Sequence, residues 1–366
     1  MTDPADEHFM RLALGLGRRG LGNAWPNPAV GALVVQDGAI VGRGWTQAGG
    51  RPHAETEALR RAGAEAKGAT LYVTLEPCSH HGKTPPCADA IVAAGIARVV
   101  SALEDPNPKV AGEGYARLRA AGIAVETGLC EAQARHDHAG HIRRIRDGRP
   151  HVTLKLAVSS DGKSGLAGRR PLQISGAAAR ARVHLMRAMN DAVLIGIGTA
   201  LADDPQLTCR LPGMGKQSPV RVVLDGRLRL PPESCLAATA RQTPVWVVCA
   251  PNAPADRAAA LQALGAEVLR CGRGEGGLDL AQMLALLAEK GVTRLLVEPG
   301  PILAASFLKA DLVDEAVIIR APAALGPDAI DAIEGEKLDA LTRLTKFRLA
   351  GQEKLGPDQL TAYERI

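Results

Sequence analysis

Two α/β domains in tandem are what the sequence predicts, and three observations carry that prediction. A length of 366 residues exceeds one ordinary domain and suits two cores. Apolar strand-like runs alternate with helix-period segments through both halves. The alternation halts at a helix breaker, Gly148-Arg149-Pro150, and restarts at His151. The domains predicted on this basis are 1–147 and 148–366. Apolar residues make up 46% of the chain and aromatics only 2%, so the cores must be built from Ala, Val, Leu and Ile. So few aromatics, with a net charge of +5, argue against a surface that stacks nucleic-acid bases. The mild positive charge suits a phosphorylated small molecule.

Asp6 to Arg19 reads as a helix with Phe9, Leu12, Ala13 and Leu16 on one face. Val30–Val35 and Ile40–Trp45 flank Asp37-Gly38, a strong hairpin signal. A helix over 54–62, a strand over 71–75 and a helix over 87–94 follow. Then come a strand over 98–103, a helix over 115–121 and a strand over 123–126. Glu131 to Arg146 reads as one polar helix. Beyond the break, strands are predicted at 152–156, 193–197, 220–224, 245–249, 267–270 and 295–298, with helices at 177–188, 256–264 and 280–289. The acidic N-terminus lacks a signal-peptide pattern, and charges and glycines interrupt every apolar run. With seven cysteines and no dense framework, a cytoplasmic protein with reduced thiols and no membrane partner is expected.

The chemistry-bearing residues lie in the first domain. His53-Ala54-Glu55 opens a helix, Glu76-Pro77-Cys78 ends a strand, and Pro85-Pro86-Cys87 opens the next helix. One imidazole, through Nδ1 or Nε2, and two thiolates make three ligands, the number a catalytic zinc uses when its fourth position holds water. Glu55 lies two residues after His53, where it can lean over that water and shuttle its proton. A lone His-x-Glu is an ordinary helix start, and a lone Pro-Cys is ordinary packing. Together, in this order, they match the deaminase signature His-x-Glu…Pro-Cys…Cys. Eight residues separate Cys78 from Cys87, more than many deaminases place there, and the insert is polar and basic.

Asn27-Pro28-Ala29-Val30-Gly31, His53-Ala54-Glu55, the run from Thr74 to Cys87, and Asp105-Pro106-Asn107-Pro108 resemble the bifunctional riboflavin-biosynthesis deaminase/reductase family. The resemblance covers nearly the whole chain. It implies a cytidine-deaminase-like three-layer N-terminal domain and attack by zinc-activated water at C2 of a diaminopyrimidinone that carries a phosphoribosylamino group. Asn27, His80, Lys83 and Asn107 would contact that substrate. Where many relatives carry a His after the second hairpin strand, this chain has Thr46.

In the second domain the informative segments are 155–163, 196–210 and Val297-Glu298-Pro299-Gly300-Pro301. The last is a turn between a strand and a helix, whose N–H groups can bind a phosphate. These segments resemble the reductase half of the family, which implies a dihydrofolate-reductase-like α/β domain using NADPH. Lys155, Arg187, Leu207, Arg210 and Glu298 would then form the substrate site. Ala157, Gln173, Thr199, Asp203, Gly300, Pro301, Ile302, Leu303, Ala304, Ala305 and Ser306 would hold the cofactor. Lys155 and Glu298 stand at the ends of two predicted strands, where a sheet can bring them together, and Arg187 and Arg210 offer planar donors suited to phosphate. Pro171, Gln173 and Gly226 depart from side chains common in relatives.

Two motifs are read as decoys. Gly272-Arg273-Gly274-Glu275-Gly276-Gly277 contains Gly-x-Gly-x-x-Gly but sits too late in its domain to open a Rossmann unit, so it reads as a flexible surface loop. His136, His138 and His141 read as part of a solvated linker helix. The competing functions are a lone deaminase with an inactive or regulatory C-terminal domain, a nucleic-acid-editing deaminase, and a dead zinc-stabilised module. Glu55 beside a complete ligand set argues against the last. A homo-oligomer is expected.

Overall fold

The structure is a computed structural model, and it describes residues 4–80, 85–108, 110–166, 172–339, 341 and 346–366. The chain divides into two compact units, Met1–Arg149 and Pro150–Ile366. In the first, α1 (Pro4–Gly17) leads to the hairpin β1 (Gly31–Gln36) and β2 (Ala39–Trp45). The hairpin turns on Asp37 and Gly38, both at positive φ as the Asp-Gly signal requires. Next come α2 (Ala54–Ala62), β3 (Thr70–Val73), α3 (Cys87–Ala93), β4 (Arg98–Ser101), α4 (Glu113–Ala120) and β5 (Ala124–Thr127). The sheet order is β2-β1-β3-β4-β5, antiparallel across β1 and parallel from β3 onward. α2 lies against β2 so closely that Cβ atoms on Gly42 and Gly44 would come within 2.2 Å of the Ala58 and Ala54 carbonyl oxygens. Those two glycines set the height of α2, and with it His53 and Glu55, over the sheet.

The expected single helix over 131–146 is two helices, α5 (Glu131–Asp137) and α6 (Ala139–Asp147). His138 leaves helical geometry between them at φ −92°, ψ 9°. Its ring is buried and Nε2 lies 3.1 Å from Thr74 Oγ1, at the end of β3. His141 is nearly as enclosed, with Nε2 3.3 Å from Asp105 Oδ1. The reading as a solvated linker helix is therefore corrected: tertiary hydrogen bonds to the sheet end override helix continuity.

The second unit begins with β6 (His151–Val158), the short β7 (Lys163–Gly165), α7 (Ala177–Ala188), β8 (Ala192–Gly196) and α8 (Ile197–Asp203). β9 (Val220–Leu224), α9 (Cys235–Ala238), β10 (Val245–Cys249), α10 (Ala255–Ala263) and β11 (Glu267–Arg270) follow. A small hairpin, β12 (Arg273–Gly274) and β13 (Gly277–Leu278), precedes α11 (Leu280–Glu289), β14 (Arg294–Val297) and α12 (Pro301–Lys309). β15 (Glu315–Arg320), the two-residue β16 (Ile330–Asp331), β17 (Phe347–Leu355) and β18 (Asp358–Arg365) complete it. The nine-stranded sheet runs β11-β10-β9-β8-β14-β6-β15-β18-β17. It is parallel from β11 to β15, and β18 and β17 extend it antiparallel. β14 lies between β6 and β8, so the strand order reverses there, the place where open α/β sheets bind ligands at their carboxyl edge.

Candidate active sites

In the first unit three ligand atoms converge. His53 caps α2, Cys87 opens α3 and Cys78 follows β3. α2 and α3 pack against each other. His53 Nδ1 is 3.3 Å from Cys87 Sγ and 3.7 Å from Cys78 Sγ, and the backbone N–H of Cys87 donates to Cys78 Sγ at 3.3 Å. The ligand atoms all lie within 4.8 Å of one another, so the donor set fits zinc, with Nδ1 as the imidazole ligand. Without metal the two sulfurs contend for one proton. The hydrogen bond from Cys87, reinforced by His53, draws the Cys78 thiol down to about 4, while Cys87 is pushed up. Zinc would displace that proton. Cys87→Ala is therefore expected to purify with far less zinc than wild type, and unchanged zinc content on metal analysis would refute the ligand set.

Glu55 is only 4% exposed, and burial pushes its carboxyl up against the pull of His53. Asn27 Nδ2 donates to the Gly50 carbonyl at 2.9 Å and lies 3.3 Å from His53 Nε2, so Asn27 borders the metal ligand. Thr46 is buried and its hydroxyl accepts the Val30 N–H at 3.0 Å, which pins the Asn27–Val30 segment from behind. Glu76 is also buried. It accepts backbone N–H groups from Asp105 (3.2 Å), Gly112 (3.0 Å) and Gly114 (2.9 Å). Asp105 in turn accepts the Asn107 N–H at 2.8 Å. The carboxylate two residues before Cys78 thus seats the loop that carries Asn107. Gly114 is required there, since a Cβ would come within 2.1 Å of the Pro77 carbonyl oxygen.

In the second unit a cleft of about 1400 Å³ opens at the carboxyl edge of β6, β8, β9 and β14. The pairing of Val297 with Leu154 puts Glu298 beside Lys155, with Oε2 3.6 Å from Nζ. Arg187, from α7, grips the same carboxylate through Nε (2.6 Å) and Nη2 (3.0 Å). Burial alone would raise the Glu298 carboxyl, but Arg187 and Lys155 together hold it down to about 2. The α12 N-terminus faces the cleft with Gly300 as its cap and Pro301 in its first turn. A Cβ on Gly300 would sit 3.2 Å from Thr199 Oγ1, so this corner is shaped for close backbone approach. The size of the cleft and its open helix terminus fit a dinucleotide.

The region described as the cytidine and deoxycytidylate deaminase zinc-binding region matches residues 3–103, and the RibD C-terminal domain matches residues 150–361. The riboflavin biosynthesis protein RibD of Escherichia coli K12 is 40% identical over 364 residues, covering 96% of this chain and 97% of its own. The chain belongs to the RibD family. Its two units are a zinc deaminase and a reductase. Among solved structures, Acinetobacter baumannii RibD superposes with a TM-score of 0.87 at 37% identity, covering 99% of both chains. A diaminohydroxyphosphoribosylaminopyrimidine deaminase/5-amino-6-(5-phosphoribosylamino)uracil reductase from Thermotoga maritima gives 0.85 at 34%, again over 99% of both.

The residues expected at the RibD sites are placed unevenly. His53, Glu55, Cys78 and Cys87 converge, with Asn27 against them. His80 is exposed, and Lys83 lies outside the described residues, as does Pro171. Lys155, Ala157, Gln173, Arg187, Thr199, Asp203, Leu207, Glu298, Gly300, Pro301, Ile302, Leu303 and Ser306 line the cleft. Ala304 is instead fully buried, and neither it nor Ala305 lines the cleft. Arg210 is exposed outside the lining, with Nη1 on Gln206 Oε1 at 3.2 Å, and Arg187 is engaged by Glu298 where a phosphate partner was expected. The glycine-rich segment is no outlying surface loop: as the β12–β13 hairpin, residues 273–278 form one wall of the cleft. Glu76 was given no role from sequence, and His141 was read as solvated rather than as a partner of Asp105. The Glu76 signal was its place in the Glu-Pro-Cys run.

Proposed function

We propose that the two units act in succession on one phosphorylated pyrimidine. The first hydrolytically deaminates 2,5-diamino-6-(5-phosphoribosylamino)pyrimidin-4-one to 5-amino-6-(5-phosphoribosylamino)uracil. The second reduces the ribosyl group to a ribityl chain with NADPH. The observation that carries this reading is the buried Glu55 carboxyl beside a three-ligand metal site in the same chain as the Lys155–Glu298–Arg187 cleft.

Zinc held by His53, Cys78 and Cys87 would lower the pKa of a coordinated water to about 7. Glu55 takes the water proton, passes it to the ring nitrogen and returns a proton to the leaving amine. Asn27 and Asn107, with His80 and Lys83, orient the ring and its phosphate. In the second unit NADPH supplies hydride, and the protein orients it. Glu298, kept ionised, accepts hydrogen bonds from the sugar hydroxyls, and Lys155 donates to the oxygen of the opened ribose. Thr199, Asp203, Gly300 and the cleft-lining residues at the start of α12, Pro301, Ile302, Leu303 and Ser306, seat the cofactor. Among the described residues no helix is long and apolar enough to cross a membrane. A cytoplasmic homo-oligomer completes the reading.

Ammonia release from the diaminopyrimidinone without NADPH tests the first step. Release that stops with a chelator and returns with zinc is the expected result. Release that ignores the chelator would overturn the metal-dependent mechanism.

A further inference from the structure

Arg221, the second residue of the interior strand β9, is completely buried. Every acceptor it meets is neutral. Nη1 donates to the Gln206 carbonyl (3.2 Å) and Thr239 Oγ1 (2.8 Å), and Nη2 to the carbonyls of Thr239 (3.1 Å) and Thr243 (2.5 Å). Nε has no hydrogen-bond partner. Among the described residues no carboxylate forms an ion pair with it. A buried cation without a counter-charge is costly, and an apolar side chain would satisfy β9 as a strand.

What that cation holds is the turn at the reductase cleft. Leu207 lines the cleft in the left-handed region, at φ +55°. For a non-glycine residue this conformation costs on the order of 1 kcal/mol and persists only where the surroundings enforce it. Both carbonyls flanking Leu207 are clamped. Arg221 takes the Gln206 carbonyl from one side. His184 Nδ1 (3.0 Å) and Arg187 Nη1 (3.4 Å) meet the Thr208 carbonyl from the other. Arg187 is the residue that also grips Glu298, so the turn and the cleft carboxylate share one network.

We propose that Arg221 is a positioning residue of the reductase site, acting through the Gln206 carbonyl to hold Leu207 in the conformation that meets the phosphoribosyl substrate. Arg221 itself does not line the cleft. The inference rests on the reductase reading of this unit, and wild-type turnover tests that reading separately. The experiment compares Arg221→Met and Arg221→Lys with wild type in steady-state reduction of the deaminated substrate. NADPH affinity by fluorescence and deamination serve as controls. Arg221→Met is expected to raise KM for the pyrimidine at least 10-fold, with NADPH Kd within twofold and deamination unchanged. Arg221→Lys, which keeps a donor at the same depth, is expected to recover part of that loss. A purely structural role would lower the number of NADPH-binding sites and leave the KM of the surviving fraction at the wild-type value, which overturns the proposal. If Arg221→Met does not fold, a folded Arg221→Lys with wild-type KM overturns it equally, and a KM raised threefold or more at unchanged NADPH Kd supports it.

Discussion

Glu55→Gln is expected to lower deamination by about 10²–10⁴-fold, the usual contribution of a positioned general acid–base. The amide keeps the size and most of the hydrogen bonding of the carboxylate but cannot cycle a proton. Because the ligands are His53, Cys78 and Cys87, zinc content should stay at the wild-type level. Because Glu55 lies in the first unit, NADPH-dependent reduction of the deaminated substrate should be untouched. Metal analysis, ammonia release and NADPH oxidation on one preparation read all three. A variant that deaminates within a few fold of wild type would remove Glu55 from the chemistry. One that loses zinc would make it a structural support of the metal site.

Glu298→Gln should be the most damaging change in the second unit. It leaves Lys155 and Arg187 side by side, with their shared counter-charge gone from a largely buried position. Breaking such a group typically costs about 3–5 kcal/mol. The pH dependence gives a second route to the size. The Glu298 carboxyl is held at about 2 against an ordinary 4.5. A depressed folded-state pKa stabilises fully above the unfolded value, and that contribution fades as pH falls from 4.5 towards 2. The shift corresponds to about 3 kcal/mol at neutral pH. In urea unfolding followed through Trp246, the second unit's only tryptophan, wild type should exceed the variant by about that much at pH 7. The gap should narrow steadily below pH 4.5, and an equal gap at pH 3 and pH 7 would contradict the ion-pair account. Reductase turnover should fall in the variant while residual NADPH binding persists.

The metal site was legible because its chemistry is local. Each ligand sits at an element end marked by its own signal, and the spacing of His53, Glu55, Cys78 and Cys87 matches one reaction class. The Lys155–Glu298 contact was legible from strand ends, since a parallel sheet leaves few other registers. Less local features escaped. His138 and His141 looked solvated because nothing in their helix reveals Thr74 and Asp105, which lie 64 and 36 positions away. The strands β15, β17 and β18 went unpredicted. β17 is exposed along most of its length as the sheet edge, so its pattern lacks the apolar alternation that marks a half-buried strand. The Gly-Arg-Gly-Glu-Gly-Gly run reads as flexible composition until the hairpin it forms is seen against the cleft. Arg221 has the same character: within Val-Arg-Val-Val-Leu a lone charge suggests a solvent-facing position, and only the fold shows three carbonyls and a hydroxyl waiting for it.

This single chain is expected to perform both steps, with a working reductase although Gln173 and Gly226 depart from the side chains that the family resemblance leads one to expect. Mixing the purified protein with NADPH and 5-amino-6-(5-phosphoribosylamino)uracil and following the absorbance of NADPH tests it directly. Oxidation of one NADPH for each pyrimidine consumed is expected, at a rate that Glu55→Gln leaves unchanged. No oxidation above the substrate-free control, from protein that releases ammonia from the diaminopyrimidinone, would contradict it and reduce the chain to a deaminase with an inactive second unit.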